Sequence, residues 1–263
     1  MKEISSRDNQ LFRHALSLKR KKYRDQYGEY LVEGPNLIKE ALKEGVDIRT
    51  LMLSGMAEEG GNDREIFEEE SLKDRTCVLS GNLFKELSET ETPQGMIAIV
   101  SKRQPEDPNE TMKPGGNVIV LDRLQDPGNI GTILRTADAA GFDMACFIKG
   151  TGDPYSPKIV RSAAGSLFRL PIIYVNDNDE LRELMSRNGK MIIATAMNGD
   201  KAYFEEDLSH DCAIVIGNEG NGVSEDLILR ADKIIRIPMA GNTESLNAAV
   251  AAGILMYERI RRR

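Results

Sequence analysis

The sequence is poor in the side chains that most often build metal sites and nucleophilic triads. It has 263 residues, no tryptophan and only two histidines, His14 and His210, neither of which has a neighbour suited to share a metal ion. This scarcity argues against a metal centre and against histidine-based catalysis. The three cysteines, Cys77, Cys146 and Cys212, lie far apart and form no CxxC pair. We therefore expect reduced structural thiols, no disulfide framework and a cytoplasmic location.

Long apolar runs are missing as well. No stretch approaches the roughly 18 consecutive apolar residues of a membrane span, so no transmembrane helix is expected. The opening MKEISSRDNQ has no apolar segment behind its charges, which argues against a secretory signal. The apolar fraction of 40% and the charged fraction of 29% are ordinary for a globular protein. At this length the chain has room for one large domain or two modest ones.

Charge is distributed unevenly along the chain. The net charge of −7 alone argues against a polyanionic partner, but residues 1–24 hold eight lysines and arginines against only Glu3 and Asp8. The segment AEEGGNDREIFEEESLKD is strongly acidic, and the chain ends ERIRRR. A local basic patch can hold a polyanion, or it can be a solvated helix face. Charge alone leaves both interpretations open.

The first hundred residues have the pattern of a small α/β unit. An amphipathic helix begins near Leu11, and short strands such as IRTLMLS and MIAIVS alternate with helices such as PNLIKEALKEG. The following stretch, KRQPEDPNETMKPGGN, is charged and rich in proline and glycine, which is typical of a linker. These patterns predict a first domain over residues 1–105, a linker over 106–116 and a second domain over 117–263.

From Asn117 onward the pattern becomes that of a parallel sheet. Six short runs are β-branched and almost continuously apolar: NVIVLD, MACFIKG, LPIIYV, KMIIATAM, CAIVIGN and KIIRIPM. Strands of this kind are buried on both faces, and the helical segments between them complete an α/β alternation. In open sheets of this class, ligands bind beyond the carboxyl ends of the strands. A site is therefore expected in the loops that follow these runs.

The first unusual loop follows NVIVLD and reads DRLQDPGNIGTILRTADAAG. A tight turn at Asp126-Pro127-Gly128, with Asn129 as a helix cap, explains most of it structurally. It does not explain Arg135, which the apolar side of the helix does not need. We predict that Asn129 and Arg135 both lie near the opening turns of this helix and face the loop.

The second loop, GNEGNGVSE, contains Gly217, Gly220 and Gly222, which let the backbone approach a ligand closely. It matches neither the GxGxxG fingerprint nor the P-loop pattern. Glu219 lies inside it, where a carboxylate would repel a phosphate. The loop therefore favours a ligand with hydroxyl, amine or cationic groups over a triphosphate.

The third loop leads into the last helix, which is apolar on nearly every side. Leu246, Val250 and Tyr257 follow helical spacing while small residues fill the other faces, so we expect burial by the sheet and by a second subunit. Ser245 and Asn247 stand where this helix begins. They are either N-terminal caps or one wall of a site.

Together these loops closely resemble the three motifs of the SpoU (TrmH-like) RNA ribose 2′-O-methyltransferases of the SPOUT superfamily. The motifs are NIGTILRTADAAG, IVIGNEGNGVSE and RIPMAGNTESLNAAVAAGILMYE, in the family's order, and the match spans Asn117 to Tyr257. The front of the chain resembles the N-terminal substrate-binding domain of many members, through ISSRDNQLFRHALSLKRKKYRDQYGEYLVEG and TPQGMIAIV. That domain is similar to a small RNA-binding ribosomal-protein fold.

The resemblance implies an α/β parallel-sheet methyltransferase domain with a deep trefoil knot, S-adenosylmethionine as methyl donor, and a homodimer. It also implies which residues of this chain contact the donor: Thr195, Ala196, Met197, Gly217, Ile237 and Leu246. Five residues coincide with the family's polar motif positions and form the implied catalytic group: Arg135, Asn129, Glu219, Ser245 and Asn247.

Within this group we assign the central role to Arg135. It would hold the phosphate beside the target ribose and stabilise developing alkoxide charge. A role as general base is the alternative, although a guanidinium is very hard to deprotonate. Asn129, Ser245 and Asn247 would orient Arg135 and the ribose, and Glu219 would orient a catalytic group or form part of the pocket.

The N-terminal domain favours 23S ribosomal RNA as the substrate, because transfer RNA enzymes of the family often carry short basic extensions in its place. A transfer RNA ribose methyltransferase and a non-catalytic RNA-binding or ribosome-assembly protein of the same fold are the alternatives. A Rossmann-type nucleotide enzyme is disfavoured, since no glycine fingerprint follows the first strand of the second domain. No membrane or metal partner is expected.

Overall fold

The computed structural model describes residues 2–55, 66, 69–103 and 107–262, so most of the acidic segment lies outside the described residues. The chain divides into two compact units. The first unit comprises Met1–Gln104 together with Asp153–Phe168, and the second comprises Pro105–Gly152 together with Arg169–Arg263. No helix in the described ranges is long and apolar enough to cross a membrane.

The first unit is built on a mixed five-stranded sheet with the order β1-β4-β3-β5-β2, numbering elements along the chain. Its strands are β1 (Lys2–Ile4), β2 (Glu29–Glu33), β3 (Ile48–Ser54), β4 (Thr76–Leu79) and β5 (Met96–Ser101). Its described α-helices are α1 (Gln10–Ser17), α2 (Lys21–Tyr27), α3 (Pro35–Lys43), α4 (Gly81–Leu87) and α7 (Pro157–Ser162). The predicted small α/β unit is confirmed, with the edge strand β1 in addition.

Two helices stand where the sequence predicted one amphipathic helix followed by a basic cluster. The Asn9 side chain caps α1 by accepting hydrogen bonds from the N–H groups of Leu11 at 2.9 Å and Phe12 at 3.4 Å. The chain leaves helical form after Ser17, and the basic cluster continues into α2. Helix α2 ends at Gly28, whose φ of 65° lies in the left-handed region that favours glycine.

The segment Asp153–Phe168 joins the first unit, although the predicted boundaries placed it in the second domain. Arg24 Nε and Nη2 donate to Asp153 Oδ2 at 2.9 and 2.6 Å, and the two side chains are only 4% and 8% exposed. The ring of Tyr155 packs against that of Tyr30, with centroids 4.9 Å apart. Because these contacts join residues more than a hundred positions apart, local sequence patterns did not reveal them.

The second unit contains a seven-stranded sheet in the order β10-β12-β9-β11-β6-β7-β8, in which every neighbouring pair is parallel. Its strands are β6 (Val118–Asp122), β7 (Met144–Ile148), β8 (Ile172–Val175), β9 (Met191–Thr195), β10 (Lys201–Ala202), β11 (Cys212–Gly217) and β12 (Lys233–Arg236). All six apolar runs are confirmed as strands, and β6 and β7 are buried throughout. The deep trefoil knot stays a prediction.

Helices alternate with the strands of this sheet along the chain, as the sequence pattern predicted. Those described are α5 (Pro108–Thr111), α6 (Pro127–Ala139), α8 (Asn178–Arg187), α9 (Glu225–Arg230) and α10 (Ala248–Arg261). Helix α5 lies inside the predicted linker 106–116, of which residue 106 is outside the described part. The end of that stretch is anchored to the second unit, because Lys190 Nζ donates to the carbonyls of Lys113 at 2.6 Å and Gly116 at 2.9 Å.

Helix α10 is covered on one side within a single chain. The covered side packs on α6 and β11 and carries Ala249, Ala252, Leu255 and Met256. The opposite side exposes Val250 and Tyr257, which are 52% and 48% accessible. The expected burial against the sheet is therefore confirmed for one side of the helix, and burial of the exposed apolar face by a second subunit stays a prediction.

The three cysteines are free and buried, in keeping with the expected structural thiols. Burial raises the pKa of Cys77 to about 11 and that of Cys212 to about 12. Neutral thiols of this kind are poor nucleophiles and poor metal ligands.

Candidate active site

A cavity of about 1090 Å³ opens at the carboxyl ends of β9, β11 and β12. The loops after these strands, the first turn of α6 and the start of α10 line it, at the edge where parallel sheets bind ligands. Ten of the predicted site residues line this one cavity: Asn129, Thr195, Ala196, Met197, Gly217, Glu219, Ile237, Ser245, Leu246 and Asn247. The three loops that the sequence singled out therefore converge in the second unit.

One chain of hydrogen bonds links a residue from each loop. Asn247 Nδ2 donates to Asn129 Oδ1 at 2.9 Å, and Asn129 Nδ2 donates to Glu219 Oε1 at 3.2 Å. A carboxylate can only accept, so Asn129 must turn its amino group toward Glu219 and its oxygen toward Asn247. The direction of both bonds is thus fixed by chemistry. These two bonds therefore fix the orientation of three side chains that lie about a hundred positions apart in the sequence.

Glu219 is also bound by the backbone of the first loop. Gln125 N–H donates to its Oε2 at 3.2 Å and Asp126 N–H to its Oε1 at 3.0 Å. Burial, the largest single influence, raises the pKa of this carboxyl, but the backbone N–H groups and the Asn129 amide together outweigh it. The net pKa of Glu219 lies below its ordinary value. The group is therefore a stable anion that ties the second loop to the first.

Asn247 combines the two roles that the sequence left as alternatives. It is the N-cap of α10, since its Oδ1 accepts from the N–H groups of Ala249 at 2.9 Å and Val250 at 3.3 Å. Its amino group remains available for Asn129. Ser245 lines the cavity but does not cap the helix. Asn247 is thus both the cap of α10 and part of the wall of the site.

The cap of α6 differs from the expected one. Asp126 is the N-cap, with its Oδ1 accepting from the N–H of Asn129 at 2.8 Å, and Pro127 takes the first helical position. The prediction that Asn129 caps the helix is wrong. Because Asp126 performs that role, the Asn129 side chain is free to bridge Asn247 and Glu219.

Arg135 does not join the other predicted residues. It is exposed on α6 and is absent from the lining of the cavity. Six residues of α-helix place it about 120° around the axis from Asn129 and about 9 Å further along. Within the described chain its side chain has no ion-pair or hydrogen-bond partner. The expectation that Arg135 faces the loop beside Asn129 is wrong within one chain.

At Gly217 the backbone of the second loop lies against later backbone of the same loop, at Gly222 and Val223. A Cβ added there would lie 2.1 Å from the backbone carbon of Gly222 and 2.1 Å from the nitrogen of Val223. Gly222 itself adopts a φ of 68°, which glycine tolerates without strain. The loop closes through mutual backbone hydrogen bonds between Asn218 and Gly222 at 3.0 and 2.8 Å. Position 217 therefore admits no larger residue in this loop conformation.

Two further positioning residues escaped sequence reasoning. Asn218 Nδ2 donates to the carbonyl of Arg123 at 2.9 Å, so this residue also ties the second loop to the first. Asp122, buried at the end of β6, accepts from the N–H of Ser224 at 2.8 Å and from Arg123 Nε at 2.8 Å. The available signal was a carboxylate directly after an apolar strand, where burial would demand partners.

The remaining lining mixes apolar side chains with amide and hydroxyl groups, and its charge is negative on balance. Its charged side chains, among the described residues, are Glu219, Glu244 and Arg236. Arg236 Nη1 is occupied by the carbonyls of Gly199 at 2.6 Å and Asp200 at 2.9 Å. Apolar walls with a few polar groups are usual for small-molecule sites. This charge balance suits a cationic ligand better than a polyphosphate, as the sequence predicted.

Comparison with known proteins identifies the family. The model of the SpoU rRNA Methylase family matches residues 116–257, and the model of the MRM3-like substrate binding domain matches residues 9–98. The 23S rRNA (guanosine(2553)-2'-O)-methyltransferase RlmP of Bacillus subtilis is 35% identical, over 98% of both chains. The 23S rRNA (uridine(2479)-2'-O)-methyltransferase of Streptomyces viridochromogenes is 31% identical, over 100% of this chain and 93% of its own.

Solved structures agree with the sequence matches. The SpoU methyltransferase AviRb from Streptomyces viridochromogenes, in complex with the cofactor AdoMet, has a TM-score of 0.87 at 32% identity, covering 97% of this chain and 98% of its own. An AdoMet-bound rRNA methyltransferase from Sinorhizobium meliloti has a TM-score of 0.86 at 30% identity, covering 99% and 98%. With its three motif loops gathered at one cavity, this chain belongs to the SpoU rRNA methylase family.

Proposed function

We propose that this protein transfers a methyl group from S-adenosylmethionine to a ribose 2′-hydroxyl of RNA, and that its substrate is 23S ribosomal RNA. The observation that carries the proposal is the hydrogen-bonded convergence of Asn129, Glu219 and Asn247 on one cavity. Relatives named as 23S rRNA 2'-O-methyltransferases, aligned over nearly the whole chain, support 23S rRNA as the substrate and the ribose 2′-oxygen as the methylated atom. The AdoMet-bound relatives support the donor.

The cavity fits a donor that combines a cationic sulfonium and ammonium with an adenine ring. The lining carries two carboxylates, Glu219 and Glu244, against one arginine, Arg236, and it mixes apolar side chains with polar ones. The residues proposed to hold the donor are Thr195, Ala196, Met197, Gly217, Ile237 and Leu246. When bound, S-adenosylmethionine would supply an electrophilic methyl group and leave as S-adenosylhomocysteine, while the hydroxyl proton would pass to water.

The chain's own contribution begins with positioning. Asn129 is held from both sides, by Asn247 and by Glu219, so its amide has one orientation before any substrate arrives. A ribose hydroxyl that binds against this wall meets fixed groups. Such preorganisation can supply up to about 7–11 kcal/mol of a barrier reduction. Ser245, on the same wall, is placed to contact the ribose.

The polar wall itself is a poor acceptor of the hydroxyl proton. Neither asparagine can take it, and both Glu219 oxygens already accept hydrogen bonds while the pKa of that carboxyl is lowered. Charge that develops on the ribose oxygen therefore needs a cation near it. Arg135 is the predicted residue with this capacity, and it acts as an electrostatic and positioning group.

Because Arg135 lies outside the cavity of its own chain, we propose a homodimer in which it completes the cavity of a second copy. The exposed apolar side of α10, with Val250 and Tyr257, is the proposed contact surface. Helix α10 packs on α6, which carries Arg135. The contact would therefore bring that arginine to the subunit boundary.

Oligomeric state and complementation test this arrangement. The double variant Val250→Asp/Tyr257→Asp should sediment as a monomer that binds S-adenosylmethionine but transfers no methyl group. Mixing Arg135→Ala with Asn129→Ala subunits should restore transfer, because one cavity of the mixed dimer then holds both groups. An active monomer, or no recovery on mixing subunits that exchange, would contradict the shared site.

Location in the cytoplasm is a further part of the proposal. The three free and buried cysteines support it, because thiols persist in reducing compartments. Immunoblotting of soluble and membrane fractions tests it, and recovery in the soluble cytosolic fraction is expected.

The activity is tested with purified full-length protein, methyl-labelled S-adenosylmethionine and a 23S rRNA transcript. Ribose 2′-O-methylation blocks alkaline cleavage at that nucleotide, so the label should appear in alkali-resistant dinucleotides. Label in mononucleotides would indicate base methylation and contradict the proposal. A transfer RNA transcript labelled faster than the 23S rRNA transcript would move the substrate to the alternative class.

A further inference from the structure

Of the eight cations of residues 1–24, Lys2 lies on the edge strand β1, and the other seven fall into two groups in the first unit. Four of them are neutralised by carboxylates: Arg7 by Glu86 at 2.6 Å, Lys19 by Glu89 at 2.9 Å, Lys21 by Asp25 at 2.6 Å and Arg24 by Asp153 at 2.6 Å. Their charges support the fold and are largely cancelled. They therefore contribute little to the attraction of a polyanion.

The second group, Arg13, Arg20 and Lys22, is exposed and has no acidic partner among the residues that the structure describes. Lys22 Nζ lies 5.8 Å from the ring centroid of Tyr23, and this ring contact leaves its charge unneutralised. In a protein with a net charge of −7, such uncompensated cations on α1 and at the start of α2 form a local positive surface.

Two tyrosines accompany these cations on α2. Tyr23 and Tyr27 are four residues apart, with ring centroids at 6.3 Å and planes within 12° of parallel. The ring of Tyr27 is held edge-on by His14 at 4.7 Å, and His14 Nε2 lies 2.6 Å from Glu29 Oε2. Tyr27 is nevertheless 46% exposed. A large ring is thus fixed in orientation and open to solvent.

We propose that Arg13, Arg20, Lys22, Tyr23 and Tyr27, here named the Tyr27 surface, bind an unpaired segment of the RNA. The cations would contact phosphates, and Tyr27 would stack on an unpaired base. Stacking favours single-stranded RNA, because bases within a duplex already cover one another and offer no free face. An acidic protein could use the cations but has no need of the ordered ring.

This inference rests on the proposed function for its RNA substrate and adds the surface and the form of RNA that it holds. It predicts separable contributions from charge and from stacking. Loss of phosphate contacts lowers the salt dependence of binding, whereas loss of a stacking platform weakens binding at every salt concentration.

The experiment measures binding of the full-length protein to a fluorescent 23S rRNA transcript over a series of salt concentrations. Tyr27→Ala and Tyr27→Leu should each bind about tenfold more weakly with an unchanged salt slope. Tyr27→Phe, which keeps the ring, should remain within about twofold of the wild type. Arg13→Ala/Arg20→Ala should reduce the salt slope by about 1.4, from two lost single-strand contacts.

A matched control removes two cations elsewhere in the same unit. Lys73 pairs with Glu70 at 3.0 Å and Arg75 with Asp47 at 3.1 Å, so Lys73→Ala/Arg75→Ala should leave affinity and salt slope unchanged. Single-stranded oligouridylate should compete better than duplex RNA and better than polyglutamate of equal charge. Stronger competition by polyglutamate would assign the surface to an acidic protein and overturn the proposal.

Other outcomes distinguish this inference from the proposed function. All Tyr27 variants should bind S-adenosylmethionine like the wild type and keep its turnover at saturating RNA, with a raised KM for RNA. Equal RNA affinity in Tyr27→Ala and wild type would overturn the Tyr27 surface while the methyltransferase proposal stands. Tyr27-dependent RNA binding with no methyl transfer by the wild type would do the reverse.

Discussion

The candidate site of the second unit and the Tyr27 surface of the first use polar side chains in opposite ways. At the cavity, Asn129, Glu219 and Asn247 satisfy one another, and the backbone of the first loop satisfies Glu219 further. On the first unit, Arg13 and Arg20 are left without partners within the described chain. The polar groups of the cavity are already bonded to one another, whereas the cations of the Tyr27 surface remain available to bind RNA, as proposed.

The difference follows from what each region has to recognise. A small donor and one hydroxyl must be held within fractions of an ångström, which requires groups that are fixed before binding. A long, hydrated polyanion is attracted by charge that need not be fixed, and only a stacked base needs an ordered partner. Variants that affect one region and spare the other test whether the two roles are separate.

The largest effect is expected from Arg24→Ala in the first unit. It leaves Asp153 buried without its cation, a change that typically costs about 3–5 kcal/mol of unfolding free energy. Calorimetry should show that the first unit unfolds at a clearly lower temperature, while the affinity of the second unit for S-adenosylmethionine is unchanged. Arg7→Ala is the control, because its pair with Glu86 is exposed and worth at most about 1 kcal/mol. Equal losses in both variants would contradict the role of burial.

Next in size is Arg135→Ala. Removing a group that stabilises transition-state charge should lower methyl transfer about 10²–10³-fold, or roughly 3–4 kcal/mol, with donor affinity unchanged. Single-turnover transfer and donor calorimetry separate these quantities. Arg187→Ala, which removes an exposed cation paired with Glu183 on α8, is the control for net charge. Full activity in Arg135→Ala would remove this residue from the mechanism.

A smaller effect is expected from Glu219→Gln. The glutamine side chain has the same size, but its amino group is a hydrogen-bond donor and would face a backbone N–H group in place of a carboxylate oxygen. This mismatch costs about 1–3 kcal/mol. The affinity for S-adenosylmethionine should fall about tenfold or more. The Glu244→Gln variant, changed in the same lining, should lose less affinity. If both variants lose affinity equally, charge rather than hydrogen bonding holds the loops.

The lowered pKa of Glu219 also sets the direction of a pH dependence. A carboxyl whose pKa is lower in the folded state stabilises the loops above its unfolded pKa and loses that contribution as pH falls through the folded value. The affinity for S-adenosylmethionine, measured by titration, should therefore stay level above the ordinary glutamate pKa of about 4.3 and decline only as pH falls further. The Glu219→Gln variant should lack this acid limb.

Most of the second unit could be predicted from sequence because its signals are local. Continuous β-branched runs predicted the parallel strands, and the polar loops after them predicted the cavity wall. Local signals failed where partners come from afar. Asp126 rather than Asn129 caps α6, because the helix begins at Pro127 and the Asn129 side chain is bonded to Asn247. Arg135 looked like part of the same wall because sequence gives no helix rotation relative to a cavity.

Long-range contacts account for the other misses. Asp122 and Asn218 tie the first two loops together through partners about a hundred residues away, which no window of sequence contains. The segment Asp153–Phe168 belongs to the first unit through a buried ion pair with Arg24. Its residues carry an ordinary helical pattern, so composition offered no sign of their partner.

The most direct test of the account is calorimetric titration of S-adenosylmethionine into the wild type, Gly217→Ala and Gly241→Ala. The account predicts one donor per chain for the wild type and for Gly241→Ala, whose added methyl meets no atom within 4 Å. Gly217→Ala should lose donor binding while it stays folded, because its methyl would lie 2.1 Å from the Gly222 backbone and displace the second loop. No uptake by the wild type, or unchanged uptake by Gly217→Ala, would contradict a donor site walled by these loops.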